Sequence, residues 1–94
     1  MQDLEKNKHE NHTTSKLFVL INCIDDKVKT TIEELRRVAH VLETKQIDGP
    51  YDIIVTIQST SNEELKKTLH KIRQLQTVRH TLTLRSSSDD GVLG

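Results

Sequence analysis

Ile47-Asp48-Gly49-Pro50-Tyr51-Asp52 divides this 94-residue chain into two halves of the same design. Glycine accepts backbone angles closed to other residues, and proline locks its own φ, so the two side by side reverse the chain sharply. A polar β-rich run, Val41 to Ile47, leads into the turn, and a second run, Asp52 to Gln58, leads out of it. The turn therefore exposes peptide groups and one carboxylate at the end of a sheet. Such a place suits capture of a small polar molecule better than chemistry on one.

Working outward, each flank of the turn repeats strand, helix, strand. Leu17-Phe18-Val19-Leu20-Ile21-Asn22-Cys23 is a strand apolar on both faces. From about Asp26 the spacing of Val28, Ile32, Leu35, Val38 and Leu42 predicts a helix, with Asp25 and Asp26 where an N-cap belongs. That pattern breaks near His40, ahead of the run into the turn. On the far side Ser61 and Glu64 have the spacing of a capping box. Leu65, Leu69, Ile72 and Leu75 form the stripe of a second helix, with Lys66, Lys67, Lys71 and Arg73 lying mainly away from it. Val78 to Arg85 is the last strand. The order is βαββαβ, and right-handed crossovers put both helices on one face of a four-stranded antiparallel sheet. The expected class is α+β, ferredoxin-like.

Strand alternation then assigns faces. Ile53, Val55 and Ile57 share one face of their strand, and Asp52, Ile54, Thr56 and Gln58 the other. In the last strand Val78, His80, Leu82 and Leu84 form one set, and Arg79, Thr81, Thr83 and Arg85 the other. The more apolar set of each strand is expected to pack on the helices, which makes His80 a structural histidine and places Thr81 and Thr83 in phase with Asp52. The first strand needs cover on both faces, and the chain has helices for only one, so a second copy is expected on the other. The turn, Thr81 and Thr83 would then lie near a subunit interface, one of the usual places for a small ligand.

Composition bounds the alternatives. Fourteen basic and fourteen acidic residues give a net charge of +0, with no general pull toward nucleic acid or anionic membrane. Phe18 and Tyr51 are the only aromatics, too few for a base-stacking surface. The apolar run Leu17 to Ile21 is too short to cross a bilayer, and no secretory signal precedes it, so a cytoplasmic protein is expected. Cys23, the one cysteine, ends an apolar run and reads as a buried inert thiol. Met1 to Ser15 is too polar to offset its ordering entropy, so residues 1–15 are expected to be a flexible tail, 16–86 the folded domain and 87–94 a second flexible segment. His9 and His12 lack further metal ligands, and Asn11-His12-Thr13 means little as a glycosylation acceptor without export. The loop Asn22 to Asp26 has neither Gly nor Arg and makes a poor phosphate cradle. With no nucleophile, base, metal or cofactor signature in view, no enzyme is expected.

Residues from about Leu17 to Arg85 resemble the effector-binding (RAM) domain of Lrp/AsnC transcription regulators. The resemblance rests on Phe18-Val19-Leu20-Ile21-Asn22, on Gly49-x-Tyr51-Asp52 running into Ile53-Ile54-Val55, and on Val78-x-x-Thr81-x-Thr83. It implies dimers formed through the sheets, assembly into octamers or similar rings, and an amino acid or related effector bound between dimers. Gly49 and Asp52 are its foremost site candidates, followed by Tyr51, Thr81 and Thr83. Two departures stand out. The first fifteen residues cannot form the helix-turn-helix such regulators carry, which implies a stand-alone module that senses a metabolite, or a ligand-free partner that joins a full-length relative. Pro50 occupies a position that is often acidic, removing a donor and a carboxylate from the turn.

Overall fold

The computed structural model describes residues 14–85. The expectations for residues 1–13 and 86–94, including His9, His12 and the Asn11-His12-Thr13 acceptor, lie outside the described residues. Six elements follow one another: β1 (Ser15–Cys23), α1 (Val28–Leu35), β2 (Val41–Gln46), β3 (Ile53–Ser59), α2 (Asn62–Gln74) and β4 (Val78–Arg85). The four strands form one antiparallel sheet in the order β2-β3-β1-β4, the expected ferredoxin-like arrangement.

The core lies between the sheet and the helices. Leu17, Val19 and Ile21 of β1 face the same side as Ile57, Val55 and Ile53 of β3, their register partners. All six are at most 5% exposed, as are Leu35 of α1 and Leu65 and Ile72 of α2. Burying each such side chain contributes about 1.5–3 kcal/mol, so this layer supplies the main drive for folding.

The ends of α1 depart from expectation. Asp25 and Asp26 do not cap it: the N-cap is Lys27, with no side-chain bond. A tight turn consumes the two aspartates, with Lys27 N–H donating to the Ile24 carbonyl at 3.2 Å. Asp26 takes a left-handed φ of 56°, which Asp tolerates better than most residues. At its far end α1 stops at Leu35, and His40, at φ 71°, redirects the chain into β2. Leu42 therefore belongs to β2, where it is 59% exposed, and not to the helix stripe. At α2 the expected cap forms in half: Ser61 Oγ accepts from Glu64 N–H at 3.1 Å. The Ser61 N–H goes instead to Ser59 Oγ, and the Glu64 carboxylate turns to His40 and Lys67.

Thr31 is fully buried on the inner face of α1. Its hydroxyl donates to the Lys27 carbonyl at 2.6 Å and lies 2.6 Å from the Thr77 hydroxyl. One proton cannot serve both, so Thr77 donates to Thr31. This pair ties α1 to the segment entering β4. Thr31→Val is expected to lower stability by about 1–3 kcal/mol, because it leaves the Thr77 hydroxyl without its partner, while the Lys27 carbonyl keeps the Thr31 N–H at 2.9 Å. Urea unfolding of both proteins measures it, and an unchanged midpoint would show that the pair contributes nothing.

The face assignment of β4 is corrected by its register. Val19 pairs with Thr83 and Ile21 with Thr81, so the two threonines face the helices. Leu82 and Leu84 pair with Leu20 and Phe18 on the open face, where they are 43% and 46% exposed. Alternation reports which side of a strand is apolar, not which partner covers it. Here both sides of the sheet are apolar along β1, and β4 puts its leucines on the side away from the helices. Among the described residues, no helix is long and apolar enough to cross a membrane.

Candidate functional site

Asp52 lies just before β3, on the open-face side of the register shared by Asn22, His80, Leu20 and Ile54. Its own N–H donates to the Ile21 carbonyl and its carbonyl accepts from Ile47 N–H, each at 2.9 Å, which closes the turn against β1. Its Oδ2 accepts from the Cys23 N–H at 2.8 Å. Cys23 lies two residues past the last β1–β3 pair, Ile21 with Ile53. The carboxylate therefore stands in for the next carbonyl of a ladder that has ended.

The same end of β1 carries a β-bulge. Asn22 pairs with His80, but Cys23 pairs with Val78, so Arg79 is the extra residue on β4. A bulge leaves one residue unpaired and re-aims side chains, which is how Arg79 and His80 come to line one cleft. The cleft is open, about 530 Å³, and lined by Asn22, Cys23, Asp52, Arg79 and His80. An anion, a guanidinium, an imidazole and an amide thus meet where two central strands and an edge strand end. The Cys23 thiol is pushed above its ordinary value of 9.0 chiefly by burial; the neighbouring Thr31 hydroxyl opposes this and the Asp52 charge adds to it. A thiol held protonated in this way is a wall, not a nucleophile.

The remaining expected site residues are distributed differently. Gly49 lies at the exposed tip of the turn with φ +121°, and a Cβ there would meet nothing within 4 Å. It is needed for its backbone angle and not for space. Tyr51 is half-buried beside Asp52. Thr81 and Thr83 are not in phase with Asp52: they lie across the sheet, Thr81 with its hydroxyl 3.5 Å from Arg73 Nε of α2. Sequence reasoning missed Asn22, Arg79 and His80. A bulge leaves no mark in strand alternation, so the only available signal was Asp52 sharing its phase with Ile54, hence through β1 with Asn22 and His80. Among the described residues no group of three or more His, Cys, Asp or Glu side chains could hold a metal ion.

The model of the Lrp/AsnC ligand binding domain matches residues 16–89. The chain belongs to that family. This Lrp/AsnC domain is also 36% identical over 68 residues to homocitrate synthase from Saccharolobus solfataricus, a match covering 70% of the chain but 14% of that enzyme. The chain thus spans about one seventh of the length of the curated relatives it matches. Among solved structures, TTHA0845 from Thermus thermophilus superposes with a TM-score of 0.73 at 28% identity, covering 78% of this chain and 92% of that one. Escherichia coli AsnC superposes with a TM-score of 0.71 at 20% identity, covering 88% of this chain and 66% of that one. The fold is therefore shared with Escherichia coli AsnC.

Asp52→Ala leaves the Cys23 N–H without its acceptor, and a loss of about 1.5–3 kcal/mol is expected, the range for a hydrogen bond to a charged group. Asp52→Asn keeps an acceptor in place and is expected to lose less. Thermal or urea unfolding of the two variants side by side measures the difference, and equal losses would mean that the bond is not what Asp52 contributes.

Proposed function

We propose that the cleft at Asp52 is an effector site for an α-amino acid or a close relative, in a non-catalytic regulatory module of the Lrp/AsnC type. The observation that carries this reading is the presence of Asp52 and Arg79 in one cleft. A zwitterion has an ammonium for the first and a carboxylate for the second. Asp52 Oδ2 is engaged by the Cys23 N–H, so Oδ1 is the atom offered to the ammonium. Arg79 offers a planar fork that matches a carboxylate, with His80 and Asn22 as further polar contacts. Gly49 and Tyr51 contribute through the turn that positions Asp52, and Thr81 and Thr83, across the sheet, take no part in this cleft.

The open face supports a second part of the proposal. Ile54, Leu20 and Leu82 form one cross-strand row, and Thr56, Phe18 and Leu84 the next. The flanking edge of β2 is charged, with Lys45 and Glu43 paired at 3.7 Å. An apolar patch with a charged rim is the anatomy of a protein interface. Its occupant is a second copy of this chain, and dimers of this kind assemble further into rings that bring the clefts of neighbouring dimers together. The module acts in the cytoplasm, linked to transcription regulation through its own assembly or through a full-length relative.

A thermal-shift screen of the twenty amino acids tests the site. At least one is expected to raise the melting temperature by mass action. Arg79→Ala and Asp52→Asn are each expected to weaken that ligand roughly tenfold, the equivalent of about 1.4 kcal/mol. A screen with no shift at millimolar concentration, or a hit indifferent to both substitutions, overturns the assignment.

Size exclusion with light scattering tests the assembly. The native chain is expected to run as a dimer or larger, and Leu82→Glu as a smaller species that still folds. A native monomer at micromolar concentration removes the interface.

A further inference from the structure

A second groove lies at the opposite end of β1 from the Asp52 cleft and on the opposite side of the sheet. It runs between the first turns of α2 and the edge strand β4, with a volume of about 460 Å³. Asn62, Leu65, Lys66 and Leu69 follow one another at i, i+3, i+4 and i+7, so they form a single stripe of α2 facing this groove. Leu65 and Leu69, with Leu17 of β1, line its apolar part. Lys66 and Arg85 border it, and among the described residues neither makes an ion pair.

The Thr83 hydroxyl is the informative atom. It belongs to the set of β4 residues that face the helices, its oxygen is buried, and it has no hydrogen-bond partner among the described residues. A buried hydroxyl left unpaired is costly, on the order of 1–3 kcal/mol, and is therefore uncommon in folded proteins. Thr81, one step along the same face, has Arg73 as its neighbour. Thr83 lines the groove, and a rotation of its side chain is needed to bring the covered hydroxyl to an incoming polar atom.

We propose that this groove is a binding site, separate from the Asp52 cleft, for a short aliphatic carboxylate. The tail lies along Leu17, Leu65 and Leu69. The carboxylate meets Lys66 and Arg85, and one of its oxygens accepts from the Thr83 hydroxyl. Leu65 and Leu69 are one helical turn apart, about 6 Å along the axis, which a tail of about five carbons spans. An amine has no acidic partner among the groove-lining residues, and a neutral alcohol of the same length leaves both cations unused. The charge of the rim and the length of the floor together select the ligand class.

The test is a titration of the full, isotopically labelled chain with hexanoate, followed by amide chemical shifts. Saturable changes are expected at Leu65, Lys66, Leu69 and Thr83, with the Asp52 cleft unaffected. Hexanol and hexylamine, with the same tail and no negative charge, are expected to bind at least several-fold more weakly. Lys66→Gln combined with Arg85→Gln is expected to weaken hexanoate roughly tenfold, about 1.4 kcal/mol, without changing the melting temperature. Thr83→Val, which replaces the hydroxyl with a methyl group of similar size, is expected to weaken it several-fold while keeping the fold. The proposal is overturned if the shifts do not saturate at millimolar hexanoate, map to the open sheet face, or are matched by hexanol. Because the probe and the responding residues differ from those of the Asp52 site, failure here leaves the effector reading standing, and the reverse also holds.

Discussion

The pairing of β1 on both of its edges is the constraint on which this molecule depends. β3 lies along one side of β1 and β4 along the other, so the register of those two ladders decides which residue of either neighbour faces which side. Because β1 is apolar on both faces, it can demand cover on both. Leu17, Val19 and Ile21 receive it from α1 and α2, while Phe18 and Leu20 carry an apolar surface across to Ile54, Leu82 and Leu84. The helices are thus only half of the solution to the problem posed by one strand.

The same strand creates the polar cleft by the way it ends. At Asn22 and Cys23 the ladder to β4 shifts by one residue, and the ladder to β3 has already stopped. Backbone N–H groups at such a place need acceptors, and Asp52 supplies one to Cys23. One carboxylate therefore does two things: it completes the sheet, and it places negative charge in the cleft that Arg79 also lines. An acidic residue directly after the turn is therefore of structural value even with Pro50 in the turn itself. A bulge beside the charge is consistent with the tendency of bulges to occur next to functional sites.

Much of this architecture was legible in the amino-acid sequence. Element order, the inward set Ile53, Val55 and Ile57, the Ser61 cap of α2 and the reversal at Gly49-Pro50 all follow from local periodicity and backbone chemistry, which act over a few residues. The N-terminal boundary of α1 was less legible, because Asp25 and Asp26 suit either a cap or a tight turn, and the strand before them decides which forms. Thr31 was hidden for a similar reason: a threonine in a helix stripe looks polar until a second threonine, forty-six positions away, meets its hydroxyl.

The sequence by itself determined the βαββαβ order, the two-sided apolar strand and the presence of a carboxylate at a sheet end. Only the tertiary structure decided that Leu82 and Leu84 face away from the helices, that Thr81 and Thr83 face toward them, and that Arg79 and His80 join Asp52 and Asn22. Periodicity fixes which residues of a strand share a side, but not which side that is. That choice is made by register, and in β4 by a one-residue bulge, through hydrogen bonds between segments more than fifty positions apart in the chain.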